Sequence, residues 1–269
     1  MKAISSLEFL IESGVEDFLG SEPRNFLAEA VLKKNTQQKP AENNKTADSA
    51  AKPFVPAASA PAPDLNKAIA SARQLADNAK TLADLRAAVE GFDGCNLKKM
   101  ANKTVFADGN PSTGVMLIGE APGAEEDEQG IPFCGMSGQL LDKVLKSIGL
   151  DRTNGFYITN TLFWRPPGNR KPTPEELAIC EPFLEKHIAL VNPKMLLLVG
   201  ATAVTGVLKN NESMGKLRSQ IFHYKNRYLQ TEVPVMVTYH PSFLMRSPIN
   251  KRLAWEDMLQ FKAELAKLK

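Results

Sequence analysis

From about residue 95 onward, short apolar runs alternate with longer stretches in which apolar residues recur at helical spacing. The apolar runs predict four strands, at residues 115–119, 156–160, 195–200 and 233–239. The helical spacing predicts four helices, at residues 139–149, 174–191, 201–209 and 251–268. This alternation, with strands apolar on both faces, predicts a three-layer α/β/α fold around a central, mostly parallel four-stranded sheet.

The first 91 residues follow a different pattern. Residues 1–33 combine apolar and charged positions at helical spacing, which predicts an N-terminal helical segment. Residues 34–64 are rich in Lys, Asn, Gln, Ala and Pro, which predicts a disordered linker. Helical spacing resumes over residues 65–91 and predicts one accessory helix. We therefore expect the main α/β domain to occupy residues 92–269.

Composition narrows the class of protein. The apolar fraction of 43% is ordinary for a globular chain, and a net charge of +3 neither requires nor excludes a polyanionic partner. Three cysteines are too few for the disulfide framework of a secreted protein. No apolar run approaches the roughly 18–20 residues that span a bilayer, and the start of the chain lacks the apolar core of a signal peptide. We expect a cytoplasmic protein without a membrane span.

Polar residues cluster where the predicted strands end. Glu120 follows the first strand, with Phe133 shortly beyond, Asn160 ends the second strand, and His240 follows the fourth. Ligands of open α/β sheets bind at the carboxyl ends of the strands, so these side chains predict a pocket that grips a planar polar ligand. Taken singly, each has a simpler interpretation as a turn, a helix start or a structural histidine.

Six motifs in order carry a family resemblance: GEAPGAEED (119–127), GIPFCG (130–135), SGQLL (137–141), YITN (157–160), RPPGNR (165–170) and TYHPS (238–242). With them, the chain from about Cys95 to its end resembles the uracil-DNA glycosylase superfamily and looks closest to the family-four type. The resemblance makes residues 92–269 the catalytic domain. It implies base flipping, hydrolysis of the N-glycosidic bond of uracil in DNA, and a place at the start of base excision repair.

The resemblance assigns roles in uracil recognition. Phe133 matches the aromatic residue that stacks on the flipped base, and Gly119 and Ala121 match the lining of the uracil pocket. Asn160 matches the residue whose amide pairs with O4 and N3–H of uracil and rejects cytosine. His240 matches the histidine that donates a hydrogen bond to O2 as the uracil anion forms.

Two carboxylates match acidic positions of the family. We expect Glu126 to hold the attacking water and Glu120 to shape the pocket. The alternative for Glu126 is an acid that only stabilises the start of a helix.

The resemblance also implies contacts with DNA. Leu244 or Met245 matches the wedge that fills the gap left by the flipped nucleotide, next to Ser242 in the same loop. The residues expected to meet phosphates are Arg246, Lys251 and, on a second loop, Arg165 and Arg170.

The cysteines depart from the family-four pattern, in which four thiolates hold an iron–sulfur cluster. Cys95 and Cys180 match two of the four positions, whereas Phe92 and Trp164 occupy the other two. Cys134 falls in a motif that the cluster does not use. We therefore expect the cluster to be absent and the chain to need no cofactor.

Two alternatives to uracil excision remain open at this point. One is a related glycosylase with a shifted base preference, and the other is a non-catalytic DNA-binding relic of the fold. For partners we expect uracil-containing DNA, single- or double-stranded, with the chain acting as a monomer. The N-terminal segment is a candidate for binding another protein.

Overall fold

The computed structural model describes residues 65–268. The N-terminal helical segment predicted over 1–33 and the linker predicted over 34–64 lie outside this range. None of the helices within it is long and apolar enough to cross a membrane.

Residues 65–91 form two helices, so the prediction of one accessory helix is wrong. Helix α1 spans Leu65–Asn78 and α2 spans Leu82–Gly91. The break occurs because Thr81 starts a new helix: its hydroxyl accepts from the Asp84 amide, and the Asp84 carboxylate accepts from the Thr81 amide. Sequence spacing alone did not reveal this capping box.

The sheet confirms the predicted fold and adds two edge strands. The four predicted strands appear as β2 (Val115–Gly119), β3 (Tyr157–Asn160), β4 (Met195–Val199) and β6 (Val233–Thr238), and they pair in parallel in the order β3-β2-β4-β6. Two short strands, β1 (Asp108–Gly109) and β5 (Phe222–Tyr224), pair antiparallel at the edges. They were missed because two or three residues are too few to show a strand pattern.

The other helices in residues 65–268 are α3 (Asn96–Met100), α4 (Ala124–Gln129), α5 (Met136–Ser147), α6 (Pro174–Val191), α7 (Ala201–Leu208), α8 (Met214–Leu217), α9 (Pro241–Arg246) and α10 (Lys251–Lys267). Of these, α5, α6, α7 and α10 match the four predicted helices, and the four shorter helices were not predicted. One face of the sheet packs against apolar residues of α6, α7 and α8, and the other against those of α5 and α10. The predicted three layers are therefore present.

A third apolar cluster joins α1 and α2 to the rest of the fold. It contains alanines of α1, Leu85 and Val89 of α2, and Phe183 of α6. Residues 65–91 thus share a core with the domain that follows. A domain boundary at residue 92 stays a prediction.

Candidate active site

The predicted polar stretches meet around one cleft at the carboxyl ends of β2, β3 and β6. The cleft measures about 450 Å³. Its lining includes most of the residues singled out for uracil recognition and cleavage: Glu120, Ala121, Glu126, Phe133, Asn160 and His240. The convergence expected from sheet topology is therefore observed.

Asn160 lines this cleft, and Gly119 lies directly beside it on the neighbouring strand. They are register partners at the ends of β3 and β2. The Asn160 side chain is buried, and its Oδ1 has no hydrogen-bond partner. An unpaired buried acceptor costs about 1–3 kcal/mol, so this oxygen calls for a donor from a bound ligand. Gly119 makes room for it, because a Cβ there would lie 2.5 Å from Asn160 Oδ1.

The Phe133 ring lies beside the Asn160 amide oxygen. A Cβ on Gly119 would lie 2.3 Å from the end of the Phe133 ring, which places the ring beside the Asn160 amide. The residue has φ of 53°, a left-handed conformation that is uncommon for an aromatic residue. Its ring centroid lies 5.7 Å from that of His240.

His240 follows β6 and caps α9. Its Nδ1 accepts a hydrogen bond from the Ser242 backbone N–H at 3.2 Å, and the Ser242 hydroxyl lies 2.8 Å from the same atom. Because Nδ1 is an acceptor, the proton of the neutral ring resides on Nε2. Burial lowers the pKa of His240 below its usual value, although the nearby Glu120 carboxylate opposes this shift. The ring is therefore a neutral Nε2–H donor near pH 7.

Glu126 is buried and held through both of its oxygens. One oxygen accepts the Gly123 N–H and the other the Gly135 N–H, each at 3.0 Å. These contacts agree with the interpretation of Glu126 as an acid at a helix start, since it lies in the first turn of α4. They also fix the carboxylate at the wall of the cleft.

Glu120 is half-buried and contacts a residue that the sequence did not single out. The hydroxyl of Thr202, in the first turn of α7, donates to Glu120 Oε2. No ion pair to Glu120 is found within residues 65–268. Its charge is close enough to influence the pKa of His240.

A family model for the uracil DNA glycosylase superfamily matches residues 106–259 of the chain. This chain belongs to the uracil-DNA glycosylase superfamily.

Curated members of this superfamily agree with the resemblance to family four. The chain is 34% identical over 184 residues to the type-4 uracil-DNA glycosylase of Pyrobaculum aerophilum, covering 67% of this chain and 92% of that protein. It is 36% identical over 182 residues to the type-4 enzyme of Thermotoga maritima, covering 66% and 92%. The type-4 enzyme of Sulfurisphaera tokodaii is 34% identical over 177 residues, covering 64% and 79%.

This family assignment contradicts the expectation of a chain without a cofactor, because type-4 uracil-DNA glycosylases are iron–sulfur enzymes. In the chain itself, the buried thiols of Cys95 and Cys180 share a hydrogen bond, which lowers the pKa of Cys95 and raises that of Cys180. Phe92 and Trp164 pack in the same apolar cluster and offer no ligand for iron. These four positions supply two thiols, and residues 65–268 contain no group of three or more potential metal ligands.

The two candidates for the wedge, Leu244 and Met245, differ in their exposure. Leu244 is only 5% exposed and lies against α5 near Leu141, so its prediction as a wedge is wrong. Met245 is 39% exposed. Of the two neighbouring side chains, only Met245 has substantial exposed surface, so the wedge stays a prediction for Met245.

The predicted phosphate contacts fall into two groups. Arg246 lines the cleft and Lys251 is exposed at the start of α10, and in the described part of the chain neither forms an ion pair. Arg165 donates to Asn169 Oδ1 at 2.7 Å, and Arg170 forms two hydrogen bonds with the Glu176 carboxylate. The second pair of arginines is thus already engaged within the protein.

Sequence reasoning found nothing at the end of the third strand, although β4 also contributes to the site. Gly200 has φ of 96°, and a Cβ there would lie 2.9 Å from His240 Cβ. Thr202 follows two residues later and contacts Glu120. The rule that ligands bind beyond the carboxyl ends of strands could have pointed to both residues.

Proposed function

We propose that the cleft holds a uracil flipped out of DNA and that the chain cleaves its N-glycosidic bond by hydrolysis. This is the reaction of the type-4 relatives and begins base excision repair. The observation that carries the proposal is the unpaired, buried Oδ1 of Asn160 beside the Phe133 ring. A planar base with an N–H donor at its edge satisfies both groups together.

Asn160 is proposed to read the base through its amide. Oδ1 accepts from N3–H of uracil, and Nδ2 donates to O4. Cytosine presents an acceptor at N3 and a donor at C4, so the same amide meets it with the opposite pattern. Ala121 lines the pocket, Gly119 leaves room beside the Asn160 amide, and Phe133 stacks on the base, a contact worth roughly 1–3 kcal/mol per base.

His240 is proposed to stabilise the departing uracil anion. As the bond to the sugar breaks, negative charge develops on O2 and positive charge on the sugar. The Nε2–H of the neutral ring donates to O2, while Ser242 fixes the ring by occupying Nδ1. A preorganised donor of this kind lowers the barrier by about 3 kcal/mol.

Glu126 is proposed to hold the attacking water. The two backbone N–H groups fix its carboxylate plane, and each oxygen keeps a second lone pair that can accept from water. Glu120, held by Thr202, is proposed to shape the pocket wall close to His240. Both carboxylates favour the cation-like sugar of the transition state.

The DNA is proposed to lie across the mouth of the cleft. Met245 fills the gap left by the flipped nucleotide, and the positions proposed to contact the backbone are Ser242, Arg246, Lys251, Arg165 and Arg170. Arg170 must share its guanidinium with Glu176 or exchange that partner for phosphate.

The chain is further proposed to act as a cytoplasmic monomer. The support for the compartment is that the sparse cysteine usage suits a reducing environment. We retain the proposal that the N-terminal segment binds a second protein, supported by the composition of the linker that follows it.

Uracil release from single- and double-stranded oligonucleotides tests the proposal, with abasic sites scored by strand cleavage. Asn160→Asp removes the donor to O4 and is expected to slow release roughly 10²-fold or more. The exposed Asn154→Asp is the matched control. His240→Ala is expected to slow release about 10²–10³-fold.

Full activity in both Asn160→Asp and His240→Ala would contradict the site assignment. Parallel oligonucleotides with hypoxanthine or a thymine mispair measure the range of bases excised. DNA binding without release of any base would identify a non-catalytic member of the superfamily.

A further inference from the structure

Arg152, in the segment between α5 and β3, makes a dense set of contacts outside the cleft lining. Its Nε donates to the Asp142 carboxylate at 3.1 Å, and Nη1 donates to Asp108 at 2.7 Å. Nη1 also donates to the Pro132 carbonyl at 2.8 Å, and Nη2 donates to the Phe133 carbonyl. One guanidinium therefore joins α5 and β1 to the peptide that carries Phe133.

The two aspartates hold the guanidinium in place. The Arg152 side chain is 21% exposed, and its ion pairs with Asp108 and Asp142 approach from two different elements. The planar fork of an arginine can serve several acceptors at fixed angles, whereas a lysine ammonium acts as a point charge. The acceptors around Arg152 match that fork.

The Phe133 backbone is confined from the opposite side as well. A Cβ on Gly138 of α5 would lie 1.8 Å from the Phe133 carbonyl oxygen, so this carbonyl sits directly against the helix. Phe133 also keeps its left-handed φ of 53°. Such a conformation persists only where the surroundings determine it, and the Arg152 and Gly138 contacts do so here.

We infer that Arg152 is a positioning residue for uracil excision: by binding the Pro132 and Phe133 carbonyls, it aims the Phe133 ring at the flipped base. The inference rests on the proposed stacking of Phe133 on uracil. Arg152 itself touches neither base nor sugar. Its effect on the reaction passes through Phe133.

A double-mutant cycle tests this coupling. Arg152→Lys is compared in the Phe133 and the Phe133→Ala backgrounds, using the single-turnover rate of uracil release from a single-stranded oligonucleotide at saturating protein. We expect Arg152→Lys to lower this rate about tenfold when Phe133 is present and less than about twofold in the Phe133→Ala background, since contacting residues couple energetically. The dissociation constant for uracil-free DNA is expected to stay unchanged.

Two further variants guard against a folding defect. Arg73→Lys alters a half-buried ion pair with Glu185, neither of which lines the cleft, and is expected to keep the full rate. Asp142→Asn weakens the anchor of Arg152 while leaving the carbonyl contacts in place. Asp142→Asn is expected to lower the rate of uracil release less than Arg152→Lys does, and this effect is also expected to disappear in the Phe133→Ala background.

The outcomes separate this inference from the proposed function. Suppose that Phe133→Ala slows uracil release, but that Arg152→Lys and Asp142→Asn reduce the rate equally in both backgrounds or do not reduce it at all. The positioning role is then overturned and the stacking role stands. If Phe133→Ala itself keeps the full rate, the stacking role fails and the positioning role falls with it.

Discussion

Gly119 and Asn160 face each other across β2 and β3 so closely that a single added carbon would strike the amide oxygen. Because Gly119 has no side chain, a base can approach the Asn160 amide without meeting a side chain from that position of β2. The missing side chain on one strand therefore leaves space for the side chain of the next.

We predict that Gly119→Ala nearly abolishes uracil release. The new Cβ would require the Asn160 amide and the Phe133 ring to move, and a misplacement of about 1 Å can cost about 10²-fold in rate. The measurement is the single-turnover rate with a uracil oligonucleotide. Gly91→Ala is the control, because a Cβ at that position meets nothing within 4 Å. Normal activity in Gly119→Ala would show that the pocket does not lie at this strand pair.

Replacing each carboxylate separately distinguishes their proposed roles. Glu126→Gln exchanges one acceptor oxygen for an amide that faces a backbone N–H, so we expect a loss of about 1–3 kcal/mol in unfolding free energy. We also expect a slower reaction, by roughly 10²-fold, because the amide lacks the negative charge and basicity that the carboxylate offers the attacking water. Glu120→Gln should lower the rate of uracil release about tenfold. Kinetics and urea unfolding measure both effects.

The exposed Glu128→Gln on the same helix is the control for the carboxylate variants. A greater rate loss in Glu120→Gln than in Glu126→Gln would reverse the two assignments.

The buried His187 is predicted to make the fold sensitive to acid. Its Nε2 lies 3.0 Å from the Tyr157 hydroxyl, and burial lowers its pKa to about 3. The unfolded chain, with an ordinary histidine pKa near 6.5, binds the proton first. Stability from the neutral ring is therefore complete above about pH 6.5 and declines as pH falls toward 3.

At about pH 5 this proton linkage amounts to about 2 kcal/mol of unfolding free energy relative to neutral pH. Urea unfolding at both pH values measures it. His187→Gln should remove this part of the pH dependence, whereas the exposed His223→Gln should leave it intact. If the unfolding free energy of His187→Gln depends on pH as strongly as that of the unmodified protein, the acid sensitivity belongs to other groups.

Replacing Met245 is predicted to affect uracil release from duplex DNA, whereas replacing Leu244 is predicted to affect the stability of the fold. Met245→Ala should slow uracil release from duplex DNA and leave release from single strands nearly unchanged, because only a duplex has a gap to fill. Leu244→Ala should instead lower the unfolding free energy by about 2–5 kcal/mol, since its side chain is buried. Equal effects of Met245→Ala on both substrates would argue against a wedge.

The sequence predicted the central fold because the apolar runs of β2, β3, β4 and β6 are long enough to show their pattern. It did not predict β1 or β5, whose pairing is decided by neighbours distant in the chain. The break between α1 and α2 depends on one local capping box. Short elements and capping contacts carry too little signal for spacing arguments.

The same limit applied to the site. Glu120, Phe133, Asn160 and His240 were predicted because they follow strands in distinctive motifs, and the structure brings them together. Arg152 and Thr202 contact Phe133 and Glu120 across 19 and 82 residues of the chain, separations that no local pattern reveals. The exposure of Met245 and burial of Leu244 depend on how α9 packs, which the motif alone does not determine.

The two short edge strands also bear on how the protein behaves at high concentration. A parallel sheet that ended in a long, flat strand would offer a row of free amides and carbonyls to another chain. Here the outer positions are held by β1, with two residues, and β5, with three. So little free edge disfavours sheet-to-sheet aggregation, and a repair enzyme can then accumulate without its fold becoming a template for fibres.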